Sequence, residues 1–144
     1  MKAISRALVA AAILSLAARL AVARSAELRE PRRTEVVALD ATKVSTLTQM
    51  RRAIITGGTH HGWKPIADKP GLLTLTAATG AHVVVVDVAY DEHGFQVKFK
   101  SSENLDQAQS ADNRVTIHPK VNRWLADLNE DIRSTAVAAL GLPN

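Results

Sequence analysis

Between Trp63 and Lys100 the side chains alternate between apolar and polar with a period of two, and this alternation restricts the fold more than any other feature. Successive side chains of a β-strand point to opposite faces of a sheet, so the alternation predicts strands with one buried face. Turn-forming residues interrupt it at Thr79-Gly80 and at residues 91–94. We therefore expect consecutive antiparallel strands joined by tight turns.

The two turns can be tested against each other, because each sets a strand register and a slip of one residue would turn every side chain to the other face. Across residues 91–94 the register pairs Tyr90 with Phe95, Val88 with Val97 and Val86 with Phe99. A two-residue turn at Thr79-Gly80 pairs Ala77 with His82, Leu75 with Val84 and Leu73 with Val86. Both registers place the same apolar set on one face. A shorter strand over residues 63–67 would complete a meander of four strands.

Two flanking segments carry apolar residues at three- and four-residue spacing, which predicts amphipathic helices. The first is expected over residues 41–56, with Asp40 as its N-cap and Gly57-Gly58 as its end. The second is expected to start near Pro119 and to end at Gly141. Its apolar stripe is formed by Val121, Trp124, Leu125, Leu128, Ile132, Ala136 and Leu140.

Together these elements predict an α+β fold. An antiparallel meander of three to four strands is expected to have two amphipathic helices packed on its apolar face. The opposite face, which includes Thr74, Asp87 and Lys98, is expected to meet water. Residues 101–114 are polar and are expected to form a loop across one end of the sheet.

The first 25 residues have the three parts of a signal peptide in order. A positively charged start is followed by an apolar run over residues 7–18 and by the small residues Ala21-Val22-Ala23. The run is shorter than the about 20 residues that a membrane-spanning helix requires, and Arg19 interrupts it. We expect cleavage after Ala23 or after Ser25 and a periplasmic protein without a stable membrane anchor. Tethering to the inner membrane by an uncleaved segment is the alternative.

The chain of 144 residues has room for one domain. We expect a signal peptide over residues 1–25, a flexible lead with a possible short edge strand over residues 26–39, and a single α+β domain over residues 40–142. The signal segment holds four of the 18 basic residues and none of the 14 acidic ones, so cleavage after Ser25 leaves 14 of each. A neutral domain lacks the basic surface typical of nucleic-acid binding, and nucleic acid is not an expected partner.

Five histidines are the candidates for metal binding or acid–base catalysis: His60, His61, His82, His93 and His118. Their spacing matches no metal-binding or catalytic motif, and the adjacent pair His60-His61 is expected in a loop, where neighbouring side chains diverge. His118 is expected to position the start of the second helix. The chain has no cysteine, which excludes disulfides, thiol catalysis and zinc sites with thiolate ligands. The sequence therefore assigns no catalytic, cofactor-binding or metal-binding residue and predicts no cofactor.

The two tryptophans are candidate binding platforms for a ligand. Trp63 begins a predicted strand, however, and Trp124 lies within a predicted helix stripe. Aromatic side chains at such positions are more often part of the core. We therefore expect both rings to be packed inside the domain.

Short motifs follow one another along the chain: Val86-Asp87-Val88-Ala89-Tyr90, Gly94-Phe95-Gln96-Val97-Lys98-Phe99-Lys100, Ser102-Glu103-Asn104-Leu105, Ile117-His118 and Asn122-Arg123-Trp124-Leu125. Their order resembles that of a family of small uncharacterised proteobacterial lipoproteins. The resemblance implies this fold and a location in the cell envelope, and it implies no activity or catalytic residue. The chain departs from the family pattern in two ways, since it lacks the lipid-accepting cysteine and has Val121 at a position that is commonly aromatic.

Export, a neutral mature domain and the absence of catalytic motifs favour a binding function over an enzymatic one. The expected partner is an unknown envelope protein or a small ligand. The alternative function is a small hydrolase or a metal-dependent enzyme that uses its histidines.

Overall fold

The computed structural model describes residues 25–37, 42 and 44–141. The predicted signal peptide, apart from Ser25, and the predicted helix cap Asp40 lie outside these residues. In the part of the chain that is described, no helix is long and apolar enough to cross a membrane.

The described residues form an α+β fold with two helices and two antiparallel sheets. The strands are β1 (Ala26–Glu27), β2 (Thr34–Glu35), β3 (Lys64–Lys69), β4 (Leu72–Thr79), β5 (His82–Tyr90), β6 (Gly94–Glu103), β7 (Ala108–Gln109) and β8 (Val115–Ile117), and the helices are α1 (Leu47–Thr59) and α2 (Lys120–Gly141). One sheet has five strands in the order β2-β6-β5-β4-β3, and the other has three in the order β1-β8-β7. The expected three to four strands are therefore too few. Strands of two or three residues are too short to show a period of two, so the sequence pattern did not reveal them.

The register of the hairpin β5–β6 confirms the prediction: Tyr90 pairs with Phe95, Val88 with Val97 and Val86 with Phe99. The register of β4–β5 was predicted wrongly by two residues. The turn residues are Gly80-Ala81, so that Thr79 pairs with His82. Gly80 has a φ of 60° and occupies the first turn position, where a type II′ hairpin requires a positive φ. A shift of two keeps every side chain on its predicted face, so the predicted apolar face is correct.

The segment expected to be a flexible lead is hydrogen-bonded to the domain. β1 pairs with β8, and β2 pairs with the start of β6. The side chain of Asn122 on α2 donates to the carbonyl of Glu27 at 2.9 Å and accepts from the backbone N–H of Arg29 at 2.8 Å. The polar composition of this segment concealed these contacts because they are made by backbone groups, which every residue carries.

Helix α1 begins later than expected. Thr46 caps it in a capping box, in which the Thr46 side chain accepts from the backbone of Gln49 and the Gln49 side chain accepts from the backbone of Thr46. The predicted first turn is therefore not helical at Val44, which is exposed.

The glycines predicted to end α1 lie inside it and are buried. A Cβ at Gly57 would lie 2.8 Å from the Cα of Ile132 and 2.9 Å from the carbonyl carbon of Asp131, both in the backbone of α2. Glycine is thus required where the two helices cross, because only its missing side chain lets the backbones approach this closely. The Gly-Gly pair was interpreted as a helix end because glycine also favours that position.

The core lies between the helices and the apolar face of the five-stranded sheet. Its fully buried members include Met50 and Ile54 from α1, Leu125, Leu128 and Ile132 from α2, and Leu73, Leu75, Val84, Val86, Val88 and Val97 from the sheet. On the opposite face Thr74 is buried as well, and its hydroxyl donates to Asp87 Oδ1 at 2.6 Å. That hydrogen bond offsets the cost of removing the hydroxyl from water.

Candidate functional site

A cavity of about 80 Å³ opens where the end of α1, the end of β4 and the first half of α2 meet. Its lining consists of His61, Trp63, Ala77, Thr79, Trp124 and Asp127. Both tryptophans of the chain contribute to it. It therefore combines the largest apolar side chains of the protein with a carboxylate and an imidazole.

The turn that follows α1 positions the side chains of His61 and Trp63 at the cavity. Gly62, with a φ of 78°, donates to the carbonyl of Thr59 at 3.2 Å, and the backbone N–H of Trp63 donates to the carbonyl of Gly58 at 3.0 Å. These two bonds form a Schellman motif, which turns the chain sharply out of the helix around a residue with positive φ. His61 and Trp63 therefore flank the turn and reach the cavity from adjacent positions.

The two tryptophans differ in burial. Trp63 is 2% exposed and belongs to the core, as expected. Trp124 is only partly buried and packs against the edge of the core, so the expectation that its ring is inside the domain is correct only in part. The ammonium group of Lys120 lies 5.5 Å from the centre of the Trp124 ring, within the range of a cation–π contact.

Acidic side chains from α2 lie beside the rings. His61 Nδ1 is hydrogen-bonded to Asp131 Oδ2, with 53% of the histidine side chain and 22% of the aspartate side chain exposed. Asp127 is partly buried and makes no hydrogen bond or ion pair within the described residues. A carboxylate that has lost part of its hydration without gaining a partner is a group able to attract a positive ligand.

The sequence contains a signal for these acids that lies outside the apolar stripe of α2. Trp124, Asp127 and Asp131 are separated by three and four residues, so they lie on one face of α2. His61 and Trp63 come from the other side of the cavity, about 60 residues earlier in the chain. Only the tertiary structure brings these two sets together.

The remaining histidines lie apart from this cavity. His82 Nδ1 is 2.7 Å from the carbonyl oxygen of Asn104, and His118 Nδ1 accepts from the backbone N–H of Lys120 at 3.2 Å. His118 therefore sits at the start of α2, where the sequence placed it. His60 and His93 are exposed. Across residues 25–37, 42 and 44–141, no group of three or more histidines and acids is arranged to hold a metal ion.

Some of the short motifs singled out in the sequence make structural contacts. Asn104 adopts a left-handed backbone with a φ of 56°, and its side chain donates to the carbonyl of Ala81 at 2.7 Å. Leu105 is buried, and its carbonyl accepts from the backbone N–H of His118 at 2.8 Å. Together with the contacts of Asn122 to the N-terminal strand, these bonds connect the loop, the hairpin and the second helix. The motif string thus accounts for the fold more than for the cavity.

Two further depressions are less suited to specific binding. One of about 610 Å³ runs between α1 and α2 and is lined by Gln49, Arg52, Ala53, Thr56, His60, Ser134, Thr135, Ala138 and Ala139. The other, of about 420 Å³, lies within the loop that follows β6. Neither is lined by a tryptophan side chain, whereas the cavity at Trp63 and Trp124 has two tryptophans beside a carboxylate.

Comparisons with models of protein families, with curated proteins and with solved structures found no match to this chain.

Proposed function

We propose that this protein is an exported binding domain of the cell envelope and that its binding site is the cavity at Trp63 and Trp124. One observation carries the proposal: the two tryptophans of the chain, far apart in sequence, converge on one cavity beside a carboxylate without a partner among the described residues. Binding sites typically combine an apolar wall with a few polar groups that orient the ligand.

The size of the cavity limits what enters it. A volume of about 80 Å³ compares with the about 30 Å³ that one water molecule occupies in the liquid, so there is room for a few non-hydrogen atoms. Typical sites for whole small molecules are several times larger, at about 300–1,000 Å³. The occupant is accordingly the projecting end of a larger ligand, such as a side chain of a partner protein or a head group.

Export rests on the N-terminal pattern of charge, apolar run and small residues. The test is the intact mass of the protein recovered from the periplasmic fraction of cells that express the full chain. We expect a mass that corresponds to cleavage after Ala23 or Ser25. Full-length chain in the cytoplasm would contradict both export and the neutral charge of the mature domain.

Intrinsic fluorescence offers a direct test of binding, because Trp63 and Trp124 both line the cavity and the chain has no other tryptophan. Cationic, neutral and anionic compounds with small projecting groups are titrated into the purified protein, and the emission is followed. We expect a saturable change with at least one class. Titration calorimetry should show weaker binding of the same compound to Trp124→Phe, which keeps an aromatic ring but alters the wall of the cavity. No saturable response from any class would contradict the binding function assigned to this cavity.

One observation favours a second candidate function, a small hydrolase. The hydrogen bond between His61 and Asp131 has the arrangement by which a carboxylate orients a catalytic imidazole. A nucleophile activated by that imidazole would normally be hydrogen-bonded to it. Among the described residues, however, no hydroxyl group is hydrogen-bonded to His61.

A panel of chromogenic ester, amide and phosphate substrates distinguishes the two functions. Hydrolysis that disappears in both His61→Gln and Asp131→Asn, with the melting temperature retained, would establish the enzyme. The binding function predicts no turnover in the parent protein, and it predicts that His61→Gln alters ligand affinity instead.

A further inference from the structure

The groups around the cavity favour a positively charged ligand. Asp127 lines it directly, and Asp131 lies one residue layer behind it as the hydrogen-bond partner of His61. Two indole rings also line the cavity, and the face of an aromatic ring carries negative potential. Both contributions attract a positive group, and both repel a carboxylate or a phosphate.

The chain itself shows that one of these rings accepts a cation. The ammonium of Lys120 lies 5.5 Å from the centre of the Trp124 ring, and tryptophan is the aromatic residue that binds cations best. Lys120 does not line the cavity. Lys120 therefore does not neutralise Asp127, which has no ion pair among the described residues.

The other basic residues of the two helices form no ion pair with Asp127 among the described residues. Among the described basic residues on the two helices, Arg51 is paired with Asp68 and Arg133 with Glu130. Neither arginine lines the cavity. No ion pair among the described residues neutralises Asp127, which leaves its carboxylate available to a positive group of a ligand.

We infer that the cavity binds the alkylated ammonium group of an organic cation, with Asp127 as its counter-ion and the Trp124 ring as its apolar wall. A methylated ammonium head is compact, apolar at its surface and positively charged. It matches a small aromatic cavity with one carboxylate better than a strongly hydrated primary amine does. This inference rests on the proposed binding function and adds the chemical class of the ligand.

The test compares two molecules that differ only in charge. Choline and 3,3-dimethylbutan-1-ol have the same shape, but the first carries a quaternary nitrogen where the second has a carbon atom. Each is titrated into the purified protein at constant ionic strength, with tryptophan emission as the readout. We expect choline to bind about tenfold or more tightly, since a cation beside an indole and a carboxylate gains interactions that the neutral isostere cannot make.

Two matched variants identify the counter-ion. Asp127→Asn is expected to weaken choline binding about tenfold and to leave the affinity for the neutral isostere unchanged. Glu130→Gln removes a carboxylate from the same helix, at an exposed residue that is paired with Arg133 and lies outside the cavity. It is expected to alter neither affinity. Melting temperatures of both variants confirm that any loss of binding is not a loss of folding.

The outcomes separate this inference from the proposed function. Equal affinity for the two isosteres, tighter binding of an anion, or an unchanged choline affinity in Asp127→Asn overturns the cation site while binding at the cavity stands. The absence of a saturable response from every probe overturns the proposed function itself. Choline binding that depends on Asp127 supports both.

Discussion

Helix α2 meets the rest of the molecule in two opposite ways within a few residues. At Ile132 it lies so close to α1 that a single Cβ on Gly57 would collide with its backbone. At Trp124 and Asp127, one to two turns earlier, the same helix leaves a cavity of about 80 Å³. The first region, which we call the helix crossing, consists of Gly57, Gly58, Asp131 and Ile132. The second is the cavity.

The contrast separates residues that stabilise the fold from residues that are available to a ligand. At the crossing, Gly57 has no room for a Cβ, and the one polar side chain, that of Asp131, is hydrogen-bonded to His61. The cavity has large rings that leave a gap, and empty volume beside apolar atoms costs contact energy that packing could have supplied. Substitutions of Gly57 should therefore change stability alone, whereas substitutions of the partly buried cavity residues Trp124 and Asp127 should change binding with a smaller change in stability.

The largest expected effect tests the boundary between the two regions. Trp63 is 2% exposed, so Trp63→Ala should lower the free energy of unfolding by about 3–5 kcal/mol. Trp124→Ala should lower it by only about 1–2 kcal/mol, because that ring is partly buried and less apolar area is lost. Urea midpoints of the two variants measure the difference. Equal losses would mean that both rings belong to the core and that the cavity is a packing defect.

The second prediction concerns the crossing itself. Gly57→Ala places a Cβ 2.8 Å from the Cα of Ile132, and the backbones of the two helices must move apart. Gly58→Ala is the matched control, since its Cβ would meet side-chain atoms at 3.3 Å or more. Both variants gain the same helix propensity, about 1 kcal/mol. We expect Gly57→Ala to be less stable than Gly58→Ala by about 1–3 kcal/mol, the usual cost of overpacking.

Thermal and urea unfolding of the two alanine variants provide the measurement. If Gly57→Ala is the more stable of the pair, the helices do not approach as closely as described, and the crossing is not the tightest contact of α2.

The third prediction concerns the N-terminal cap of α1, which belongs neither to the helix crossing nor to the cavity. A substitution there should change stability without changing binding. Thr46→Ala removes the capping side chain of α1 and should cost about 1 kcal/mol. Thr48→Ala changes an exposed threonine within the same helix and should cost little or nothing. The affinity measured by tryptophan emission should stay the same in both. A cap variant that loses ligand affinity while folded would show that the start of α1 is coupled to the cavity.

The smallest expected effect concerns acid stability at the tip of the hairpin β5–β6. The backbone N–H of His93, the guanidinium of Arg33 and the backbone N–H of Gly94 hold the pKa of the Asp91 carboxyl below its usual value. A lowered pKa in the folded state means that the unfolded state takes up the proton first as the pH falls. The stabilisation is therefore complete above the pKa of the unfolded state, about 3.9, and is lost as the pH falls through the folded value.

Asp91→Asn removes this titration, so its stability should fall less steeply below about pH 4 than that of the parent. The difference should stay below about 1 kcal/mol because the side chain is 55% exposed and its ion pair with Arg33 is screened by solvent. Urea midpoints between pH 2.5 and 6 at two salt concentrations would measure it, with these pH limits set about 1.5 to 2 units on either side of the usual carboxyl pKa. Identical slopes for parent and variant would contradict a native-state role for this carboxyl, and the cavity should be unaffected in either case.

Local periodicity sufficed to predict the hairpins and the stripe of α2. The pairing of Tyr90 with Phe95 followed from the residues themselves, because alternation with a period of two and a short turn leave few registers that keep all apolar side chains on one face. The turn was predicted at Thr79-Gly80 instead of Gly80-Ala81, but the predicted face was still correct, since a shift of two residues preserves the alternation. The buried stripe of α2 likewise matched its spacing, except that Trp124 lies at its margin.

Only the tertiary structure decided what Gly57, Gly62 and the tryptophans do. A glycine permits either a helix end or a close helix contact, and which of these occurs depends on where a distant backbone passes. The cavity depends in the same way on residues about 60 positions apart, His61 and Trp63 on one side and Trp124 and Asp127 on the other. Sequence by itself determined which side chains each element turns inward, because that is set by the local geometry of strand and helix. It did not determine where two elements leave space between them, because a gap is a property of both surfaces and of their relative placement.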